Sequence, residues 1–443
     1  MSAVAGRRSP RRKLTLLPLV AATYFMVSGG PYALEDVLQG AGYNGALLIL
    51  LITPILWSLP VCLLIGELAA ALPQEGGYYA WVERALGPFW GFQEAWLSLA
   101  ASIFDMAIYP TIFTLYLARF WPAVNQGHNN MLIGGAMIAV CVVWNIAGAR
   151  AVGQGSSLLM FALLAPFAVA AAIAWSHAPL SAAPHAGSAG LLAAFTVAMW
   201  NYMGWDNAST IAGEVERPQR TYPLAMLGTV ALVTVSYVIP VAALKHTGID
   251  PSNWSTGAWV DAGRAIGGNA LAAAIVAGGM ICGMGMFNAL VLSYSRVPLA
   301  MANHGYLPRT FARTTARTGA PWVSILACAA GWTLCLTLKF ERLVVLDIML
   351  YGLALLLEFA ALFALRLREP LLPRPFRVRG GLPMILLLSC GPAAVLVIAF
   401  VQQIMYEPNA TSGIPMALEI IAGGIVIYWF SRIFKSPSSD ART

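Results

Sequence analysis

Nine acidic residues lie in or beside long apolar stretches of this sequence. They are Glu35, Asp36, Glu67, Glu94, Asp105, Asp206, Asp347, Glu358 and Glu419. A charged side chain at the centre of a bilayer costs on the order of 2–3 kcal/mol on insertion scales, so each acid needs a partner, water or a proton. No Lys or Arg lies near the middle of these stretches. We therefore expect the acids to be protonated, to be solvated near an interface, or to bind a cation.

The spacing of four of these acids indicates a common pathway. Glu94 and Asp105 are eleven residues apart, and so are Asp347 and Glu358. Eleven residues make about three helical turns, so the members of each pair share a helix face at a separation of about 16 Å. Each pair is expected to mark two depths of one polar pathway. Asp105, which has no evident local partner, is the first candidate for binding an amine.

Two apolar stretches contain residues that interrupt a helix, Ser-Gly-Gly-Pro at 28–31 and Asn-Tyr-Met-Gly-Trp-Asp at 201–206. Non-helical backbone at membrane depth is tolerated only where protein or a water-filled cavity satisfies it. Interrupted segments in corresponding places point to the substrate site of a transporter. Free amides at a restarting helix favour anions, and unwound carbonyls favour cations. We expect an amine against carbonyls and carboxylates, with any substrate carboxylate on the amides of residues 28–30.

The residues beside the breaks also have structural interpretations. Asp206 closes the second break, and its alternative role is to cap the helix that restarts there. Glu35 and Asp36 follow the first break, and their alternative is to face exterior water. Among the aromatic residues near the breaks, Trp205 is the one we expect to contact an alkylammonium group, although such residues commonly serve packing or the interface belt.

The composition predicts an all-α integral membrane protein. Hydrophobic residues make up 59% of the 443 residues, charged residues 10%, and the mean hydropathy is +0.72. Spans of roughly 20 apolar residues are long enough to cross a bilayer. Twelve transmembrane helices are predicted at about 15–38, 44–72, 88–118, 131–148, 154–176, 188–213, 223–245, 269–301, 321–339, 343–366, 383–404 and 413–434. The chain is then a single transmembrane domain over 14–434.

The basic residues predict the orientation of this domain. With a cytoplasmic N-terminus, 21 of the 26 Lys and Arg residues fall on the cytoplasmic side. This is the positive-inside bias, so both the basic N-terminus 1–13 and the tail 435–443 are expected in the cytoplasm. The net charge of +7 therefore indicates a multi-pass protein of the plasma membrane, or of the inner membrane in a bacterium, and no nucleic-acid partner.

The positions of the breaks suggest two halves. Five helices begin with the first break, over about 14–176, and five begin with the second, over about 188–366. Because the two interrupted helices start on opposite sides of the membrane, the halves form a five-plus-five inverted repeat, with helices 1 and 6 discontinuous and helices 11 and 12 appended at 383–434. The exterior loop 246–268 has room for a short helix over the mouth of the pathway.

At this point several motifs resemble those of the amino acid–polyamine–organocation transporters. The motifs are Val-Ser-Gly-Gly-Pro-Tyr-Ala-Leu-Glu-Asp at 27–36, Pro-Gln-Glu-Gly-Gly-Tyr at 73–78, Gly-Pro-Phe-Trp-Gly-Phe-Gln-Glu at 87–94, Asp105 with Tyr109 and Pro110, Ala-Gly-Glu-Val-Glu-Arg-Pro at 212–218, Leu-Glu-Phe at 357–359 and Arg-Pro-Phe at 374–376. The resemblance runs nearly end to end. Within the family, the chain is most like polyamine-uptake and L-type amino acid permeases.

The resemblance implies uptake by alternating access, usually driven by protons, with substrate held between helices 1, 3, 6, 8 and 10. By position it makes Glu35, Asp105 and Asp206 amine partners and Glu358 a pathway residue of helix 10. The chain departs from the family in two places. Some proton-coupled relatives have a lysine in helix 5, and residues 156–175 contain none. The helix 8 stretch 284–297 looks as much like amino acid permeases as polyamine permeases.

The residues and the resemblance together predict a carrier, not an enzyme. It is expected to import polyamines such as putrescine and spermidine, or cationic amino acids, by proton symport; a neutral or broad-specificity amino acid permease or exchanger is the alternative. The candidate substrate-binding residues are Ser28, Gly29, Gly30, Tyr32, Glu35, Asp105, Tyr109, Tyr202, Trp205 and Asp206. The candidate coupling or pathway residues are Asp36, Glu94, Asn288 and Glu358. We expect no cofactor or metal, a proton or possibly a sodium ion as the coupling ion, and a monomer or non-covalent dimer.

Overall fold

The computed structural model describes residues 13–177, 190–334, 336, 340–406 and 413–433. These residues form fifteen α-helices. In chain order they are α1 (Leu16–Val27), α2 (Glu35–Thr53), α3 (Leu59–Ala71), α4 (Tyr78–Leu86), α5 (Pro88–Ala118), α6 (Asn129–Ile146), α7 (Ala149–Ser176), α8 (Leu191–Trp200), α9 (Pro218–His246), α10 (Ala258–Tyr294), α11 (Arg296–Asn303), α12 (Trp322–Leu334), α13 (Phe340–Arg368), α14 (Gly381–Tyr406) and α15 (Gly413–Ile433). Most of the predicted basic N-terminus 1–13 and the whole tail 435–443 lie outside the described residues.

Within the described residues, eight stretches are long and apolar enough to cross a membrane. They are Glu35–Ala71, Pro88–Ala118, Asn129–Ile146, Ala149–Ser176, Pro218–His246, Ala258–Asn303, Asp347–Arg368 and Gly381–Ile398. The helices α1 and α12 are apolar but shorter. Large apolar side chains such as Leu132, Val143 and Leu158 are about 70% exposed on the outside of the bundle, as lipid contact requires. The count of twelve and the inverted repeat stay predictions.

Small residues let α5 and α10 pack closely at the centre of the bundle. A methyl group added at Gly279 of α10 would collide with the ring of Tyr116 on α5, and one added at Gly283 would collide with the backbone oxygen of Tyr109. In a bilayer, helix association depends on such close backbone approach. This contact fixes the position of α5 and therefore of Asp105.

Both predicted breaks are present. α1 ends at Val27 and α2 begins at Glu35, while α8 ends at Trp200 and the chain resumes as a 3-10 helix at Trp205–Thr210. The two breaks touch, because Gly204, with a φ of 92°, has no room for a side chain against the backbone oxygen of Met26. Helix 6 therefore restarts as a 3-10 helix, and its backbone lies directly against the end of α1.

The loop 246–268 contains a helix, as predicted. Residues 258–266 are helical and join the rest of α10 through a kink at Gly267 and Gly268. The indole nitrogen of Trp259 donates to the backbone oxygen of Pro31 at 2.8 Å. The helix thus covers the first break.

The expectation that no basic residue pairs with the intramembrane acids is wrong for Glu67. Its carboxylate accepts hydrogen bonds from Arg366 at 2.9 and 2.5 Å and from the amide of Val378 at 2.8 Å. Arg374 lies 3.4 Å away. Arg366 is near the end of α13, and Arg374 is in the linker that follows and folds back. Both arginines lie at or beyond the end of the predicted span 343–366, so the residues in the middle of the span do not reveal them.

Candidate substrate-binding site

A cavity lies where the two helix breaks meet α5, α10 and α13. Its space not occupied by protein atoms, including any part open to solvent, is about 360 Å³. Its lining consists of Met26, Val27, Asp105, Tyr109, Trp200, Asn201, Met203, Gly204, Asn207, Met286, Tyr294, Asp347 and Tyr351. The cavity therefore lies at the two breaks, where the sequence predicts a substrate site, and two of its lining residues, Asp105 and Tyr109, were predicted to bind substrate.

Two buried carboxylates face this cavity. Asp105 accepts hydrogen bonds from the hydroxyl of Tyr109 at 2.5 Å and from that of Tyr294 at 3.4 Å. Asp347, on α13, is hydrogen-bonded to Trp200 and interacts electrostatically with Asp105. All of these partners are neutral donors, and the lining residues described above include no Lys, Arg or His. These two carboxylates therefore need a proton or a cation to neutralise their charge.

Sequence reasoning missed Asp347 as a cavity residue because it lies near the start of its predicted span. The available signal was its eleven-residue spacing from Glu358. Tyr294 and Tyr351 were also missed, since tyrosines are common in such helices and neither lies near a break in the sequence.

Asp206 lies behind the cavity wall, where Tyr351 connects it to the cavity. The hydroxyl of Tyr351 donates to its carboxylate at 2.5 Å and accepts from the amide of Gly204 at 3.0 Å. The carboxylate also accepts from its own amide and that of Asn207. Asp206 therefore caps the 3-10 helix, and the hydroxyl of Tyr351 connects it to the cavity.

The residues predicted to bind a substrate carboxylate do not line the cavity. The amide of Gly30 donates to the side-chain oxygen of Ser28 at 3.0 Å, and the amide of Ser28 donates to Tyr24 at 2.6 Å. Gly29 packs so closely on Cys282 of α10 that a side chain would collide with the sulfur. Two of the three amides are thus already engaged.

Glu35 lies in the closure above the first break and not in the cavity. One of its carboxylate oxygens accepts from the hydroxyl of Tyr116 at 2.8 Å and from the amide of Gly257 at 2.9 Å. Tyr32 donates to the backbone oxygen of Ile275 at 2.8 Å. Asp36, next to Glu35, is half-buried. These contacts close the end of the bundle that faces away from the chain's N-terminus.

The amino-terminal end of the bundle is closed by a second set of contacts. Leu14 exchanges backbone hydrogen bonds with Glu214 and Glu216 at 2.9 and 2.8 Å. Glu214 pairs with the buried Arg296 at 3.0 Å. Hydrogen-bonded contacts thus lie on both sides of the cavity, and this arrangement is hereafter called occluded.

Glu94 and Glu358 come together between the cavity and the amino-terminal end. Both are fully buried, and Glu358 interacts electrostatically with Asp206 and Glu94. Glu94 accepts a long hydrogen bond from Ser98 at 3.4 Å. The structure therefore joins three predicted acids, Glu94, Asp206 and Glu358, in one group, hereafter the lower cluster.

Three other predicted residues lie away from the cavity lining. Tyr202 donates to the backbone oxygen of Leu50 at 2.9 Å. Trp205 is fully buried next to the cavity but is not part of its lining. Asn288 accepts from Asn145 at 2.8 Å in a contact between α10 and α6.

Comparison with known proteins finds a matching family model and several relatives. A family model described as amino acid permease matches residues 14–427. The chain is 35% identical to a probable polyamine transporter of Arabidopsis thaliana, over 97% of this chain and 90% of the relative. It is 34% identical to the polyamine transporter PUT1 of Oryza sativa subsp. japonica, over 88% of this chain and 74% of the relative. It is 27% identical to the serine/threonine exchanger SteT of Bacillus subtilis, over 69% and 72%.

Proposed function

The chain belongs to the amino acid permease family, and we propose that it is a secondary transporter that imports organic amines by alternating access. Family and homologues support a multi-pass membrane transporter of amines or amino acids. The main support for an amine substrate is the pair Asp105 and Asp347. Both are buried acids that line the same cavity, and both have only neutral hydrogen-bond partners. Burying such charges requires a counter-charge, and the substrate's ammonium groups supply it.

Polyamines and cationic amino acids are the proposed substrates. Two carboxylates suit a molecule with two positive charges, such as putrescine, because opposite charges at close range in a buried site attract strongly. The relatives named as polyamine transporters support this choice. Import by proton symport, into a cytoplasm that holds both termini, is the proposed direction and driving force.

A neutral or broad-specificity amino acid permease is the second candidate. The relative named as a serine/threonine exchanger favours it. An amino acid needs a site for its carboxylate, and two of the three amides predicted for that role are engaged by Ser28 and Tyr24. The proposed occluded arrangement would have to release them.

Matched ligand pairs test the proposal. Putrescine and ornithine differ only by a carboxylate, and so do cadaverine and lysine. We expect thermal stabilisation of the purified full-length protein by putrescine and cadaverine, and loss of that stabilisation in Asp105→Asn. The control is Glu419→Gln, which removes an exposed acid of α15. Stabilisation by serine and alanine alone, unchanged in Asp105→Asn, would contradict the amine assignment and favour the second candidate.

A further inference from the structure

Among the described residues, the acids of the lower cluster have no basic partner. Glu358 interacts electrostatically with Glu94 of α5, Asp206 of the 3-10 helix, Tyr78 of α4 and, on its own helix, Tyr351. Neither carboxylate oxygen of Glu358 has a hydrogen-bond partner among the described residues, and one oxygen of Glu94 also lacks one. All the titratable groups named here are acids or tyrosines. The cluster therefore has no positive charge of its own.

Such a cluster cannot carry three negative charges. Moving one carboxylate into a low-dielectric interior costs several kcal/mol even after relaxation, and neighbouring carboxylates do not all ionise together. Protons must neutralise at least part of the cluster in the occluded arrangement.

The three acids of the lower cluster differ in their hydrogen-bond donors. Asp206 accepts from Tyr351 and from two backbone amides, which stabilise its ionised form. Glu94 has the hydroxyl of Ser98. Glu358 has neither kind of donor. The proton therefore belongs on Glu358.

A hydrogen bond links Asp206, a member of the lower cluster, to a residue that lines the cavity. Tyr351 lines the cavity four residues after Asp347 and seven residues before Glu358, and its hydroxyl donates to Asp206. On the other side, the amides of Gly76 and Tyr78 donate to Thr210 and Ser209, which hold the 3-10 helix against the start of α4. Displacing this helix would expose the lower cluster at the amino-terminal end of the bundle.

We propose that Glu358 is the residue that carries the coupled proton. It takes up the proton from water at one side of the membrane, keeps it in the occluded arrangement, and releases it to water when the amino-terminal end opens. Glu358 itself transfers only the proton, from water at one side of the membrane to water at the other. This inference rests on the proposed amine transport, because the proton has to be coupled to a substrate.

The test separates exchange from accumulation. Full-length protein in liposomes, with the membrane potential clamped at zero, is given radiolabelled putrescine under a pH gradient that is acidic outside. At one proton per amine, one pH unit can support about tenfold accumulation. We expect wild type to approach this value. Glu358→Gln is expected to fall to a ratio near one while it keeps putrescine counterflow, which needs no net proton movement.

Two control variants are matched to this test. Glu419→Gln should keep the full accumulation. Glu358→Asp, which keeps a carboxyl group, should keep coupling with an altered pH profile, and it decides the matter if Glu358→Gln does not fold. An unchanged pH profile in Glu358→Asp would overturn the assignment.

Three other results would also overturn the assignment. The first two are undiminished putrescine accumulation by Glu358→Gln and loss of putrescine binding by that variant when it is folded. The third is a wild-type protein that exchanges putrescine but whose accumulation does not depend on the pH gradient, or depends on a sodium gradient instead. A wild type that neither binds nor exchanges any amine would refute the proposed function as a whole, and is thereby distinguishable from failure of this inference.

Discussion

Glu67 and Glu358 are both fully buried acids in helices of the bundle, and their surroundings are opposite. Glu67 receives two hydrogen bonds from Arg366 and one from the amide of Val378, with Arg374 3.4 Å away. Glu358 has no donor among the described residues. The first acid is locked in an ion pair between α3, α13 and the linker, whereas the second has nothing to fix its charge.

The difference shows which intramembrane acids are structural. A buried acid with a permanent counter-charge stays ionised and holds elements together, and its loss leaves the other charge unpaired. A buried acid with no counter-charge must take a proton or a cation from outside. Asp105 belongs with Glu358 in this respect, because its donors are the neutral hydroxyls of Tyr109 and Tyr294.

Removing the acid of the paired site should have the largest effect on stability. We expect Glu67→Gln to lower the free energy of unfolding by about 3–5 kcal/mol, because Arg366 is then buried without its partner. Apparent unfolding temperature in detergent measures this. Glu358→Gln should cause no loss, since it replaces an unpaired acid by a neutral group of similar size. Equal destabilisation by both variants would remove the distinction between the two acids.

Removing the cavity acid should affect transport and not stability. We expect Asp105→Asn to reduce counterflow of putrescine at least about 30-fold, which corresponds to the 2–5 kcal/mol cost of truncating a buried charge pair. Initial rates in liposomes measure this over a range of putrescine concentrations. The unfolding temperature without ligand should stay near that of wild type. A large drop in that temperature would place Asp105 with the structural acids.

The link between the cavity and the lower cluster should have an intermediate effect. Tyr351→Phe removes the hydroxyl that donates to Asp206 and accepts from Gly204. A hydrogen bond to a charged group contributes roughly 1.5–3 kcal/mol, so we expect pH-driven uptake to fall by about tenfold or more. Tyr202→Phe, which removes a hydroxyl bonded to the backbone of Leu50, is the matched control. Equal losses of pH-driven uptake in both variants would mean that the Tyr351 hydroxyl has no specific role in coupling.

Local sequence signals were enough to predict the breaks at 28–31 and 201–206 and the place of Asp105 deep in a helix. Gly and Pro interrupt a helix wherever the apolar pattern requires one, and a single acid deep in a span stands out without knowledge of the fold. The spacing of Asp347 and Glu358 was also readable, although it did not show that Asp347 faces the cavity.

The remaining features depend on contacts between distant residues. Glu35 meets Gly257, 222 residues away, and Glu67 meets Arg366, 299 residues away. No local pattern shows that a loop amide closes over the first break. The arginine partners were missed because long side chains at helix ends reach back toward the bundle.

An exposed ion pair completes the comparison with the smallest expected effect. Arg84 and Glu369 are 2.7 Å apart and partly exposed, and the hydrogen bond from Arg84 lowers the pKa of Glu369 below its ordinary value of 4.5. The pair contributes its full stability above that ordinary value and loses it as the pH falls through the lower pKa of the folded protein. Because solvent screens such pairs, we expect Glu369→Gln to cost less than about 1 kcal/mol.

The pH and salt dependence of this variant separates an exposed pair from the buried pair at Glu67. The gap in unfolding temperature between wild type and Glu369→Gln should be small at neutral pH, vanish at acidic pH, and shrink in high salt, where surface charges are screened. The gap for Glu67→Gln should persist in high salt, since burial shields the pair from ions. If the drop in unfolding temperature caused by Glu369→Gln did not change with salt, solvent would not screen this pair as its exposure implies. Glu369 would then help to hold the linker in place, as Glu67 does.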